Sequence, residues 1–214
     1  MNTLTGKLSN DNILISKIET LWDKYGWKFF ETLKPYNLNI IGIRNATEDP
    51  NRFDDSMVVI YSDATGKQQI KVYDITTHPG LAYLLKPVNP DGTGILAVPQ
   101  RCFFEFGVHS SHLLNGTIDT YKCLTQKGPI RLIRDNVRDG KLYFDGAVQT
   151  GMFAVQIHRA LKDVTTTTLW NWSAACQVFS SGTDFDEFMG LCEKSAAIYG
   201  NSFTYSIINE NDLV

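Results

Sequence analysis

The sequence has no apolar run long enough to cross a bilayer as a helix, and no block of like charge. Its 20 basic and 23 acidic residues nearly cancel, leaving a net charge of -3. That balance excludes the electrostatic footprint of a duplex-binding protein and of a polybasic membrane contact, so neither nucleic acid nor a membrane span is expected. Cysteine is scarce. Cys102, Cys123, Cys176 and Cys192 are irregularly spaced with no C-x-x-C, which excludes a zinc ribbon and a dense disulfide framework. Free thiols are expected, with a Cys102 to Cys123 bridge as the lesser alternative. The opening Met1 to Asn10 lacks the apolar core and small-residue cleavage site of a secretory signal. There is no internal repeat, no cofactor fingerprint and no set of metal ligands, so no cofactor and no metal are expected.

What is present suffices for one substantial core, since 43% of the 214 residues are hydrophobic and 12% aromatic. From Asn12 to Leu33 apolar residues recur at near-helical spacing, among them Ile15, Ile18, Leu21 and Trp22. Gly26 should divide this segment and Pro35 should stop it. Residues 1–37 therefore read as a helical segment that packs on its own domain or meets a protein partner, and residues 38–214 as the main domain.

From Leu38 onward short β-branched and aromatic runs alternate with Gly, Pro, Asn and Asp. Strands are expected at 39–43, 57–61, 69–73, 94–98, 102–106 and 130–133, with a last one at 202–208. Thr183 can cap a helix from Asp184 to Tyr199, with Asp184, Asp186 and Glu187 favourably placed against its dipole and Gly200 ending it. The fold class is mainly β, of the α+β kind.

Two residues carry the chemistry. A thiol is a strong nucleophile only as thiolate, and a nearby imidazole is the usual means of producing one. Cys176 follows Ser173-Ala174-Ala175, residues small enough for a tight turn whose amides could converge on an oxyanion. His158 follows a β-rich run that would hold its ring on a stiff strand. Each alone has an ordinary structural explanation, since lone buried cysteines and histidines are common; the pairing is what favours chemistry. Other features have plainer readings. His109 and His112 lack a third ligand for zinc, though His109 could line the cleft. Asp135 to Gly146 departs from a calcium loop at Val137 and Gly146. Trp170 and Trp172 flank the cysteine and could form a substrate platform or pack in the core.

His158, followed after 14 residues by Ser173-Ala174-Ala175-Cys176, resembles the signature of the L,D-transpeptidase (YkuD-type) family, a histidine followed at that spacing by Ser-His-Gly-Cys. Thr76-Thr77-His78-Pro79-Gly80 is similar to that family's Thr-Pro-x-Gly turn. The wording around Phe53-Asp54-Asp55, Ile157-His158-Arg159-Ala160, Trp172 to Phe179 and Tyr199 to Tyr205 resembles a phage- and Bacteroidetes-associated, endolysin-like branch of cell-wall enzymes. The resemblance covers about 39–208. It implies a β-sandwich catalytic domain in which Cys176 is the nucleophile, His158 the base and Ser173 the hydroxyl of the box. The amides of Ala175 and Cys176 would form the oxyanion hole, and the carbonyl of Arg159 would orient the imidazole. His109, Arg159, Trp170 and Trp172 are the expected substrate contacts.

The chain departs from the pattern at Ala174, at Ala175, and at Gln177-Val178, which stand where the family has histidine, glycine and an aliphatic-arginine pair. Should the glycine position need a positive φ, Ala175 is strained by about 1 kcal/mol. The resemblance implies attack of Cys176 on a peptidoglycan stem peptide through a thioester, resolved by water or by an amine. A protein of this kind would be made in the host cytoplasm and act at the wall or ride in a virion. The alternative is a catalytically inactive wall-binding or virion structural protein that keeps the fold. A papain-like amidase is disfavoured, because its cysteine ordinarily precedes its histidine.

Overall fold

The computed structural model describes residues 11–31, 33–47, 49–112 and 116–213. Its centre is a closed barrel of eight strands, β1 (Asn39–Arg44), β2 (Asp55–Ser62), β3 (Gln68–Thr76), β5 (Gln100–His112), β6 (Ile118–Gln126), β9 (Gln156–Arg159), β10 (Gln177–Phe179) and β11 (Phe203–Asn209). Around the barrel they follow the order β1-β11-β5-β6-β9-β10-β3-β2. A second, three-stranded sheet is formed by β4 (Thr93–Leu96), β7 (Ile130–Asp135) and β8 (Val148–Gly151), in the order β4-β7-β8. The mainly β body with one helical segment before it and one helix near its end is as expected. The sandwich is corrected to a barrel, because β1 and β11 pair in parallel, Ile41 against Ser206, and leave the main sheet no open edge. A pairing between strands so distant in sequence leaves no trace in local patterns.

β1 and β2 are buried along their whole length, which explains why they read as continuous apolar runs rather than alternating ones. One face of each, Ile40, Met57 and Val59, joins the barrel core. The other, Ile41, Ile43, Val58 and Ile60, is covered by helix α1 (Asp11–Tyr25) through Leu14, Ile15, Ile18, Leu21 and Trp22. The helix stops earlier than Pro35 would make it. Gly26 takes φ +64°, and Trp27 N–H donates to the Trp22 carbonyl at 2.8 Å, a glycine-terminated cap. The guanidinium of Arg101 lies 5.8 Å from the Trp22 ring and 5.2 Å from that of Trp27, fastening the segment after α1 to β5.

After the short helix α2 (Leu81–Leu85), the next α-helix is α3 (Gly182–Tyr199), two residues longer at its start than expected. Its cap is Ser181, not Thr183: the Ser181 hydroxyl accepts from Asp184 N–H at 3.2 Å. Gly200 terminates it, at φ +85°. Phe185, Phe188, Met189, Leu191 and Cys192 of α3 join Tyr73, Phe179 and Tyr205 in the core. All four cysteines are free thiols, so Cys102 and Cys123 are not bridged. The Asp135 to Gly146 segment is a series of turns, with Asp135 accepting from Val137 N–H and Asp139 from Lys141 N–H.

Candidate active site

His158 and Cys176 arrive from neighbouring strands. β9 and β10 pair in parallel, with Gln177 against Ile157 and Val178 against His158, so Cys176 enters the ladder beside Gln156. The backbone N–H of Gln156 points at the sulfur, 3.4 Å from Sγ. Since side chains alternate along a strand, Gln156 and His158 share the face of β9 on which the sulfur sits. Imidazole and thiol are diagonal neighbours, within reach of a long side chain. No direct hydrogen bond joins them among the described residues.

The tautomer of His158 follows from its partner. Nδ1 lies 2.9 Å from the carbonyl oxygen of Arg159, which can only accept, so the proton is on Nδ1 and Nε2 carries the free lone pair. This is the orientation expected of a base held by the carbonyl of the following residue. The ring is only 1% exposed. Burial, and then the proximity of His109, push it down to about 3, against the opposing effect of the Arg159 carbonyl. Cys176 as a residue keeps some surface, yet enough protein surrounds its sulfur that burial pushes the thiol up to about 11. At neutral pH the pair is therefore a neutral thiol and a neutral imidazole, not a preformed ion pair.

The turn before the cysteine is tied from within. Ser173 donates from Oγ to the Cys176 carbonyl at 2.8 Å and accepts from Ala175 N–H at 3.3 Å, while only 1% exposed. Ser173 thus shapes the turn, and the Ala175 amide expected in the oxyanion hole is already engaged. Ala175 has φ +152°, the conformation that glycine adopts freely and alanine does not. Gln177 supports the turn from below: its amide donates to the Ala175 carbonyl at 3.3 Å and accepts from the Tyr205 hydroxyl at 2.6 Å. From the other side, Gly80 N–H donates to the Ser173 carbonyl at 2.7 Å. A Cβ at Gly80 would stand 2.0 Å from the Trp170 carbonyl, so this close approach requires glycine.

His109, expected to line the cleft, is placed against His158. Its ring stacks on that of His158 with centroids 4.1 Å apart and planes 10° apart. Gln156 Nε2 donates to the Val108 carbonyl, which aims Oε1 at His109 Nδ1, 2.5 Å away. Nδ1 therefore carries the hydrogen, and His109 Nε2 accepts from the Ser111 hydroxyl at 2.7 Å. The other half of the zinc alternative, the side chain of His112, lies outside the described residues. Arg159 is not free for substrate: it is 3% exposed, donates to Asp119 at 2.8 Å and covers the Tyr121 ring at 3.9 Å. Trp170 is 50% exposed and Trp172 half-buried beside the turn. Sequence reading missed Gln156, which stands two residues before the base and bridges His109 to the cysteine; only its alternation with His158 on one strand could have pointed to it.

Comparisons with protein-family models, curated proteins and solved structures give no match for the chain. The likeness to L,D-transpeptidases rests on the residues named above.

Proposed function

We propose that the chain is a cysteine acyl-enzyme of the L,D-transpeptidase type that acts on peptidoglycan stem peptides. The observation that carries this reading is the Nδ1 hydrogen bond of His158 to the Arg159 carbonyl, which leaves an unprotonated Nε2 on the face of β9 that bears the cysteine sulfur. In the reaction, Sγ attacks the scissile carbonyl as His158 Nε2 takes the thiol proton. The C–S bond forms, the C–N bond breaks, and the proton passes from His158 to the leaving amine. Water or an acceptor amine then opens the thioester and regenerates the thiol. With the thiol near 11 and the imidazole near 3, proton transfer belongs to the transition state rather than to the resting enzyme. Catalytic hydrogen bonds of this kind commonly tighten only once substrate is bound. A phage-encoded wall hydrolase, reaching the wall with a virion or after lysis begins, is the setting this chemistry suits.

The test is digestion of purified muropeptides by wild type and by Cys176→Ala, followed by mass spectrometry. New stem-peptide products are expected from wild type alone; equal cleavage by both would end the reading. A second reading, an inactive wall-binding protein, is favoured by the neutral thiol and the engaged Ala175 amide. Sacculus binding by both proteins without any product would establish it.

A further inference from the structure

Alternation along β1 and β11 carries their inward faces out to one end of the barrel. Ile40, Gly42 and Arg44 follow one another on the inner face of β1, as Tyr205, Ile207 and Asn209 do on that of β11. Ile40, Tyr205 and Ile207 belong to the barrel core, and Arg44 and Asn209 are the last register pair of the parallel seam. These two residues stand at the barrel mouth, where Arg44 donates to the Leu96 carbonyl of β4 in the small sheet at 3.0 Å. A cavity of about 320 Å³ opens there. Arg44, Asn209 and Asn211 form its polar wall, and Val98, Ile133 and Phe144 its apolar one. Cys176 and His158 are not among its walls. The mouths of β-barrels are favoured places for small ligands.

Arg44 is 4% exposed, and neutral groups hold its guanidinium in place. Nε donates to Thr77 Oγ1 at 3.0 Å, Nη2 donates to the Thr77 carbonyl at 3.2 Å as well as to Leu96, and the Phe144 ring centre lies 5.5 Å from Cζ. Nη1 has no hydrogen-bond partner among the described residues, yet it is not one of the polar atoms sealed away by protein. Since Arg44 lines the cavity, this nitrogen opens into it. The side-chain amides of Asn209 and Asn211 also bond to none of the described residues. No described carboxylate forms an ion pair with Arg44. Asp55 offsets part of its charge from across Thr77, but its oxygens are spent on the N–H groups of Thr77 and Asn45. Glu210 accepts from Ala46 N–H at 3.3 Å on the rim. A buried guanidinium with an open donor is costly unless something accepts from it.

We infer that the barrel mouth is a binding site for a small organic carboxylate. Its oxygens accept from Arg44 Nη1 and from the amides of Asn209 and Asn211, while its apolar body lies against Val98, Ile133 and Phe144. The apolar wall separates this class of ligand from inorganic oxyanions. Arg44 and Asn209 belong to the two strands that close the barrel, and Ile133 to the small sheet, so an occupant ties the seam to that sheet and stabilises the fold. The site stands apart from the reading of Cys176 as a nucleophile.

The test is an NMR titration of wild type with butyrate, with its neutral isostere butyramide and with acetate, following the side-chain N–H groups of Arg44, Asn209 and Asn211. Butyrate should bind at least about tenfold more tightly than butyramide, through charge-assisted hydrogen bonds. It should also bind roughly tenfold more tightly than acetate, through its two further methylenes. The Tm of wild type should rise with butyrate concentration, as linkage requires. Asn211→Ala should weaken butyrate, and Ala46→Leu, which narrows the cavity from its exposed rim, should abolish binding. Arg44→Gln should bind acid and amide alike; if that variant does not fold, the two rim variants and the Arg44 side-chain shifts decide. Cys176→Ala should bind as wild type does. Equal affinity for butyrate and butyramide, no binding of either, butyrate no tighter than acetate, or binding unchanged in Ala46→Leu would overturn the inference.

Discussion

Ala175 concentrates the tension in the site. Its φ of +152° is one that a Cβ disfavours, and it is held there by Ser173, Gln177 and the packing of Gly94. Strain of this kind costs of order 1–3 kcal/mol and survives only where the surroundings impose it. Ala175→Gly should relieve it, net of the added freedom of glycine in the unfolded chain. A gain of about 1 kcal/mol is expected, seen as a rise in Tm of about 2–4 °C. A drop in Tm on calorimetry would mean the backbone is at ease with alanine. The same turn shows what was legible residue by residue. That His158 and Cys176 come to neighbouring strands and that the Arg159 carbonyl holds His158 Nδ1 agree with spacing and with likeness to a known pattern, whereas a positive φ at 175 was expected only if the glycine position required one. The stacking of His109 on His158 did not, because it depends on how β5 and β6 register against β9.

At the scale of elements, the cysteine turn is clamped between two loops. Gly80, just ahead of α2, bonds to Ser173 and lies against the Trp170 carbonyl, so the 170–173 loop cannot move away without losing that contact. Gly80→Ala would drive a Cβ into backbone, and overpacking of this kind costs about 1–3 kcal/mol. Urea denaturation should show that loss, and alkylation of Cys176 should change rate as its turn shifts. An unchanged midpoint and an unchanged labelling rate would show the clamp to be slack. Most strands were readable from β-branched runs, and α3 from its apolar spacing and Gly200. β6, β8 and β10 were not, since Ile118 to Gln126 alternates with Lys, Asp and Thr, and three- and four-residue strands are too short to carry a pattern. Their pairing partners, rather than their sequences, make them strands.

For the molecule as a whole, two buried imidazoles weaken the fold in acid, opposed by Asp54, whose carboxyl is pushed up to about 6 by burial and by the neighbouring Asp55. Free histidine protonates near 6.5, whereas burial holds His158 down to about 3. Burial, aided by Arg44 and opposed by Asp55, holds His78 down to about 4. Between those values and 6.5 the unfolded chain binds more protons than the native one, so stability falls as pH drops through this window. Each histidine should remove about 2 kcal/mol between pH 7 and pH 5. The fall in urea midpoint from pH 7 to pH 5 should disappear in the double variant His78→Asn with His158→Gln; an undiminished fall would assign the acid sensitivity to other groups. The barrel adds a consequence of its own making. Because β11 both seals the seam against β1 and sends Tyr205 to brace Gln177 beneath the cysteine turn, a growing polypeptide holds no finished thiol centre until β11 has left the ribosome. Any chain cut short before Phe203 leaves β1 and β5 with raw edges, open to pairing with whatever strand comes near.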